Sequence, residues 1–159
     1  MTAAHAPQHG DGFVRCADGV VRWGRYGAAG ALFVVREAAG PFVMLQKRSG
    51  FAHEGGTWSV AGGALDLGES PLDGAVREAA EEVGEVPDAW RMLGSWVFEP
   101  ATDWSYTTVV LEVTERFGAS MNFETDAVAW VPPPEVVRRP LHAGFAAAWP
   151  SLRVIVERG

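Results

Sequence analysis

One stretch of the chain, residues 58–84, restricts the fold more than any other, because it predicts a strand, a glycine pair and a helix in direct succession. The run Trp58–Ala61 is typical of a strand. The two residues that follow are both glycine, which lets a backbone bend sharply and approach a ligand closely. After a short loop, apolar residues at helical spacing predict a helix over Pro71–Val83. The fold must therefore join strand and helix at this point.

The predicted helix has strong signals at both ends. Ser70 can cap it, a proline stands at its first position, and Asp73 is favourable at the positive end of the helix dipole. Gly84 and then Pro87 end the pattern. The apolar stripe of the helix is Leu72, Ala75, Val76, Ala79, Ala80 and Val83. We expect the helix to pack on a core by this stripe.

The remaining pattern predicts short strands and one further helix. The other strand-like runs are Val20–Arg25, Ala31–Arg36, Phe42–Lys47, Met92–Phe98, Tyr106–Val113 and Val128–Val131. A second apolar pattern predicts a helix over Ala143–Arg158, and we expect a kink or break at Pro150 inside it. Short strands with two helices favour a mixed sheet between helices. A length of 159 residues fits a single domain.

The acidic residues are concentrated around the first helix. Between Asp66 and Asp88 the chain has eight acidic residues and one basic residue, Arg77, so this window carries the entire net charge of −7. Like charges this dense repel unless solvent, bases or cations neutralise them. They argue against a broad contact with a phosphate backbone, so we expect no nucleic acid polymer as a partner. They favour a metal ion or a solvated helix face.

Three glutamates of this helix share one side. Glu78, Glu81 and Glu82 fall within an arc of about 100° at the angular spacing of an α-helix. Carboxylates on one stripe become favourable when they share a hard cation such as Mg²⁺ or Mn²⁺, which prefers oxygen ligands. The glycine pair before the helix makes backbone carbonyls available to the same cation. The alternative is an acidic helix face that only improves solubility.

Across 22 positions, the glycines, acids and arginine of this region follow a fixed spacing. The pattern is Gly63, five residues, Glu69, seven residues, then Arg77-Glu78-Ala79-Ala80-Glu81-Glu82-Val83-Gly84. This segment, Gly63–Glu85, closely resembles the signature box of the Nudix hydrolases. The resemblance continues through Leu45–Ser49, Gly56–Trp58 and Trp130–Pro132, and so spans about residues 31–135.

Two positions depart from the family pattern. Glu85 stands where the family usually has a bulky apolar residue, and Ala61 stands where relatives often have proline. The position of Glu85 packs the helix end and does not bind metal. We therefore expect a local adjustment there without a loss of activity.

The resemblance implies an α/β protein, a Nudix-type α/β/α sandwich with a central mixed β-sheet. It implies a hydrolase of a diphosphate linkage in a nucleoside diphosphate linked to another moiety, with ADP-ribose-like compounds or nucleoside triphosphates as substrates. Mg²⁺ is the implied cofactor, with Mn²⁺ as a substitute. By position, the implied metal ligands are the Gly62 carbonyl, Glu78, Glu81 and Glu82. Glu81 and Glu82 would also act in catalysis, and Arg77 would orient the glutamates.

One more acid is expected from a late loop, as in some relatives. Glu124 lies six residues before Trp130, and we expect it to be a fourth ligand or the general base; a solvated loop acid is the alternative. Glu81, Glu99 and Asp103 are the other candidates for the base.

Candidates for binding the substrate precede the box. Lys47 and Arg48 end a predicted strand and could neutralise an anionic substrate, although ordinary surface bases are the alternative. Trp58 could stack on a base, as could Trp104 and Tyr106. Most of the seven tryptophans must nevertheless serve the core.

The rest of the sequence limits the cellular location and the kinds of partner that are expected. Residues 1–12 lack the pattern of a secretory signal and are interpreted as a flexible leader, and residues 13–159 as a single Nudix hydrolase domain. The lone Cys16 excludes an internal disulfide, so a reducing cytoplasm is expected. No apolar run is long enough to cross a bilayer, so no membrane partner is expected. The tryptophan content and the habit of the family suggest a homodimer.

Two other functions use the same fold. A non-catalytic nucleotide-sensing or regulatory module would be marked by the loss of box carboxylates or by a fused DNA-binding domain. An isomerase of prenyl diphosphates would need a reactive cysteine in the site, and Cys16 lies far upstream in the sequence. The intact carboxylates favour the hydrolase over both.

Overall fold

The computed structural model describes residues 8–50, 54–119 and 125–159. Its strands are β1 (Phe13–Arg15), β2 (Val21–Trp23), β3 (Ala28–Glu37), β4 (Gly40–Arg48), β5 (Trp58–Ser59), β6 (Ala61–Ala64), β7 (Trp90–Ala101), β8 (Trp104–Val113) and β9 (Thr125–Val131). Its helices are α1 (Pro71–Val83) and α2 (Ala143–Arg158), and a short 3₁₀ helix covers Pro133–Arg138. No helix within the described ranges is long and apolar enough to cross a membrane.

Seven of the strands form one mixed sheet. Five follow the order β5-β4-β3-β8-β7, while β6 pairs with β3 and β9 pairs with β4. β3 and β8 run parallel, and the other pairs are antiparallel. Along one edge β3 has two successive partners, because Ala28–Ala31 pairs with β6 and Val34–Glu37 pairs with β4. The sheet thereby places the glycine pair of β6 beside the first half of β3.

The two helices cover opposite faces of this sheet. Phe33 of β3 lies in the core under α1, whereas its neighbours Leu32 and Val34 lie in the core under α2. Such alternation is what a strand covered on both faces produces, because successive side chains point to opposite sides. The architecture is the expected α/β/α sandwich with a central mixed sheet.

Both long helices have the predicted bounds. The Ser70 hydroxyl accepts a hydrogen bond from the Asp73 amide at 3.1 Å, which is the predicted cap of α1. Of the kink or break expected at Pro150, the break does not occur, because α2 continues through this residue. Trp149 and Leu152, on either side of the proline, are both buried. Their packing on the sheet holds the helix together across the missing backbone hydrogen bond.

Residues 8–12, part of the predicted leader, are bound to the loop before α1. The Gln8 carbonyl accepts a hydrogen bond from the Leu67 amide at 3.0 Å. Gly10 is buried, and a Cβ added there would lie only 1.7 Å from the Leu65 carbonyl oxygen. Residues 8–12 of the expected leader therefore lie against the loop that precedes α1.

Candidate metal and catalytic site

The glycine pair of β6 lies directly under α1. In the antiparallel pair with β3, Gly62 is opposite Gly30 and Gly63 is opposite Ala29. A Cβ added at Gly63 would lie 2.5 Å from the carboxyl carbon of Glu78, closer than side chains approach one another. Glycine at this position lets the Glu78 carboxylate lie against the strand itself.

Glu82, one turn further along α1, reaches the neighbouring glycine. Its carboxylate accepts a hydrogen bond from the Gly62 amide at 2.9 Å, and the residue is only 6% exposed. In an antiparallel pair, a residue exchanges both of its backbone hydrogen bonds with its partner or neither. Because the Gly62 amide is directed to Glu82, its carbonyl also points away from β3, towards the same side as Glu82.

Arg77 ties the loop before α1 to the carboxylates. Its guanidinium donates to both carboxylate oxygens of Glu69 at 2.9 Å, and to Glu78 and the Ala64 carbonyl at 3.0 Å. Glu81, four residues further along the helix, has a carboxylate oxygen 3.7 Å from the guanidinium of Arg77. The hydrogen bond from Arg77 lowers the pKa of Glu69. Arg77 is therefore committed mainly to Glu69 and Glu78, and only weakly to Glu81.

Glu78 carries a charge that its surroundings compensate only in part. Its side chain is 13% exposed. Burial, together with the negative charge of Glu81, raises the pKa of Glu78 to about 7, although Arg77 acts in the opposite direction. Asp11, from the segment bound to the loop, adds negative charge. The site holds more negative charge than its own bases neutralise.

The oxygen atoms around the glycine pair fit a hard divalent cation. The carboxylates of Glu78 and Glu82 and the carbonyl of Gly62 are the kind of ligand that Mg²⁺ and Mn²⁺ prefer. The side chain of Glu81 is 57% exposed and lies on the solvent side of this set. In their present positions, no three Asp, Glu, His or Cys side chains of the described residues form a group arranged to hold a metal. The fit therefore rests on the chemistry of the donors and on the excess negative charge.

The acids predicted from other loops have different surroundings. Glu124 lies outside the described residues. Asp103 accepts a hydrogen bond from the Ala17 amide at 2.9 Å, and so connects the turn between β7 and β8 to the turn between β1 and β2. Glu99 is exposed on β7. Asp103 thus has a structural partner, whereas Glu99 faces solvent.

Arg48, at the end of β4, and Glu82 of the box both act electrostatically on the side chain of Tyr106. Burial raises the pKa of Tyr106 and the charge of Glu82 raises it further, whereas the positive charge of Arg48 lowers it. The Tyr106 hydroxyl is therefore within electrostatic reach of both Glu82 and Arg48. The structure brings this predicted substrate base to the same region as the box.

Trp58 is held by the backbone and covered on one face. It lies opposite Lys47 in the β4–β5 pair. Its amide donates to the Pro140 carbonyl at 2.8 Å, and its carbonyl accepts from the His142 amide at 2.9 Å. The guanidinium carbon of Arg139 lies 4.8 Å from the centre of its ring. One face of the indole is therefore already occupied.

Gln46 takes part in the support of the site, although no motif identifies it. Its buried amide nitrogen donates to the Val60 carbonyl at 3.3 Å, and its oxygen accepts from the Thr125 hydroxyl at 3.1 Å. It thereby links a residue two positions before Gly62 to the first residue of β9. The available signal is a single amide side chain at the end of an apolar run, because buried polar groups are almost always hydrogen-bonded.

The chain has relatives among known proteins in both sequence and structure. The family model of the NUDIX domain matches residues 25–152. A Mycobacterium tuberculosis protein named "Putative 8-oxo-dGTP diphosphatase 3" is 43% identical over 150 residues, covering 91% of this chain and 69% of that protein. A "Nucleoside triphosphate pyrophosphatase/Nudix hydrolase fusion protein" of Bifidobacterium longum is 37% identical over 151 residues, covering 90% of this chain and 31% of that protein. The crystal structure of a Nudix hydrolase from M. Smegmatis, RenU, matches with a TM-score of 0.85 at 37% identity, covering 94% of this chain and 96% of that one.

Proposed function

The chain belongs to the NUDIX family and is a nucleotide pyrophosphohydrolase, and we propose that it uses Mg²⁺ to cleave a diphosphate linkage in a nucleoside diphosphate linked to another moiety. Nucleoside triphosphates are the substrate class we favour. The support is the Mycobacterium tuberculosis relative, 43% identical, whose name refers to a deoxynucleoside triphosphate. ADP-ribose-like compounds are the second class to test.

The observation that carries this proposal is the under-neutralised carboxylate of Glu78. A carboxyl group with a pKa raised to about 7 favours any partner that brings positive charge. Glu82 and the Gly62 carbonyl supply further oxygen atoms beside it. A divalent cation satisfies all three groups at once.

In the proposed mechanism, Glu78, Glu82 and the Gly62 carbonyl hold Mg²⁺, with Mn²⁺ as a substitute and Glu81 as a further ligand. When bound, the cation neutralises charge on the diphosphate oxygens and makes a water more acidic. Arg77 keeps the Glu78 carboxylate in place through its hydrogen bond at 3.0 Å.

The remaining roles belong to groups around this centre. Lys47 and Arg48 would offset the negative charge of the substrate, and Trp58 would contact its organic part. A base must accept a proton from the attacking water, and Glu81 or Glu124 would do so. Glu69 would hold the loop through its two bonds to Arg77.

Substrate and metal are tested together by a panel of hydrolysis assays. Normal and oxidised (d)NTPs, ADP-ribose, dinucleoside polyphosphates and NADH are offered to the enzyme with Mg²⁺, with Mn²⁺ or with a chelator. We expect hydrolysis of a nucleoside triphosphate that requires the metal. A flat response to every compound would contradict the proposal and favour a nucleotide-sensing module.

Glu82→Gln tests the metal site at a single residue. The amide keeps the shape of the side chain and one oxygen that can accept from Gly62, so thermal unfolding should stay near that of the wild type. We expect metal-dependent phosphate release to fall by about 100-fold or more. Glu85→Gln is the matched control, because it removes the same charge from an exposed position just beyond α1. Full activity in Glu82→Gln would refute the role of this carboxylate.

Three further properties belong to the proposal. Residues 13–159 form one domain, in keeping with the single sheet that both helices cover. The protein works in the cytoplasm, where a lone buried thiol such as Cys16 stays reduced. It forms a homodimer, which light scattering coupled to gel filtration would test; a mass of one chain would contradict it.

A further inference from the structure

A pair of stacked aromatic rings lies on the edge strand β7. The rings of Trp96 and Phe98 have centroids 6.4 Å apart and planes only 11° from parallel. Trp96 is half-buried, whereas Phe98 is 46% exposed. Phe98 therefore offers a flat aromatic surface to solvent, held in orientation by its neighbour.

This ring pair shares a face of the sheet with Tyr106. Phe98 lies directly opposite Tyr106 in the antiparallel β7–β8 pair, so the two side chains project to the same side. Tyr106 precedes Val110 by four residues in β8, and Val110 lies in the core under α2. Trp96 packs against the same core. The aromatic groups thus lie on the α2 face, away from the helix that bears the carboxylates.

Tyr106 extends over a floor formed by two glycines. A Cβ added at Gly30 would lie 2.3 Å from the Tyr106 hydroxyl oxygen, and one added at Gly62 would lie 2.5 Å from it. Glycine at both positions leaves room for this hydroxyl. The hydroxyl forms no hydrogen bond with the residues that the structure describes. Tyr106 is half-buried, and a phenol hydroxyl that has no protein partner is available to a ligand.

The aromatic surface connects with the carboxylate site through Gly62. The Gly62 amide donates to Glu82, and the Tyr106 hydroxyl lies over the same glycine. From β7 through β8 and β3 to β6 there are three strand spacings, or about 14 Å. A ligand with a base at one end and a diphosphate at the other can extend over such a distance.

We propose that Phe98 and Tyr106 form the nucleoside subsite of this enzyme, an inference that rests on the proposed function. The nucleobase stacks on the exposed face of Phe98. The Tyr106 hydroxyl donates a hydrogen bond to an oxygen of the sugar-phosphate part, which leads on to the carboxylates at Gly62. Trp58 is a weaker platform, because the Arg139 guanidinium already covers one face of its ring.

Binding of reaction products tests the subsite without turnover. Isothermal titration calorimetry compares GMP and CMP with ribose 5-phosphate, which has no base. We expect the wild type to bind the two nucleotides more tightly than the sugar phosphate. Phe98→Ala should weaken nucleotide binding by about 10- to 100-fold, in the range of base–aromatic stacking, and leave ribose 5-phosphate unchanged.

Two further variants separate the contributions. Val97→Ala is the matched control, because Val97 is 47% exposed on the same strand and projects to the opposite face. It should bind all ligands as the wild type does. Tyr106→Phe keeps the ring and removes the hydroxyl, so it should weaken the binding of GMP and the binding of ribose 5-phosphate by the same factor. Thermal unfolding of each variant establishes that it is folded.

The outcomes distinguish this inference from the proposed function. Equal affinity of the wild type for GMP and ribose 5-phosphate would overturn the subsite, and so would unchanged nucleotide binding in Phe98→Ala. If either of these results is obtained and nucleotides are still hydrolysed, the proposed function stands and the assignment of the subsite is refuted. If binding depends on Phe98 but no nucleotide is hydrolysed, the subsite stands and the proposed function falls.

Discussion

Two glutamates with similar exposure behave in opposite ways. The side chain of Glu78, on α1, is 13% exposed, and that of Glu112, on β8, is 19% exposed. Burial and the charge of Glu81 raise the pKa of Glu78 to about 7. The pKa of Glu112 is lowered, chiefly by its hydrogen bond with Arg91.

The difference lies in the charges that surround each carboxylate. Glu112 accepts hydrogen bonds from Arg91 and Arg36, so two cations balance one anion. Glu78 has one nearby arginine, and Arg77 is shared with Glu69. Burial alone therefore does not identify a functional carboxylate. A buried acid whose charge is left uncompensated is the better candidate, because a bound cation would complete its balance.

The largest contrast is expected when each acid is made neutral. Glu78→Gln should lower kcat/KM by about 100-fold or more, because it removes a proposed metal ligand, and it should not lower the free energy of unfolding at pH 8. Glu112→Gln should leave kcat/KM near the wild-type value. It should lower the free energy of unfolding by about 1–2 kcal/mol through weaker bonds to Arg36 and Arg91. Steady-state kinetics and urea unfolding measure both; equal effects of the two variants would remove the distinction.

The next contrast concerns the metal. A cation that binds only the folded protein stabilises it, and about 100-fold excess over Kd should raise Tm by about 5–10 °C. The shift with Mg²⁺ should be larger at pH 8 than at pH 5.5, because Glu78 must lose its proton to bind. Glu78→Gln should abolish most of the shift, while Glu112→Gln should retain it. A rise in Tm that depends neither on pH nor on Glu78 would show that the metal binds elsewhere.

The smallest contrast is the pH dependence of stability in the presence of a chelator. Because the pKa of Glu78 is raised from 4.5 to about 7, the folded state binds more protons than the unfolded state between these values. Its contribution to the free energy of unfolding therefore falls as pH rises through this window. The pKa of Glu112 is lowered from 4.5, so its contribution is present above 4.5 and is lost as pH falls below it.

Each variant should reduce the pH dependence of the free energy of unfolding in one range of pH. Glu78→Gln should reduce the slope between about pH 5 and pH 7, and Glu112→Gln should reduce the slope below about pH 4.5. Urea unfolding at a series of pH values measures both slopes. A slope between pH 5 and pH 7 that is the same in Glu78→Gln and in the wild type would show that another group titrates there.

Much of the fold could be predicted because its signals are local. The bounds of α1 follow from its cap and its apolar period, and the bounds of α2 follow from its apolar period. The strand predicted over Trp58–Ala61 is divided between β5, which pairs with β4, and β6, which pairs with β3. No turn motif in the sequence marks this division. Strand β1 was missed altogether: Phe13–Arg15 is too short to show an alternation.

By itself, the sequence determined the fold class and the clustering of the carboxylates on one side of α1, because the pattern that indicates both lies within 22 residues. The tertiary structure alone decided which carboxylate lies against which glycine, and that Glu78 rather than Glu112 has an uncompensated charge. It also decided that Gln46 bonds to Thr125, 79 residues away, and that Tyr106 lies over Gly62. Such contacts depend on strand order and on burial, which act between residues distant in the chain, so no local pattern contains them.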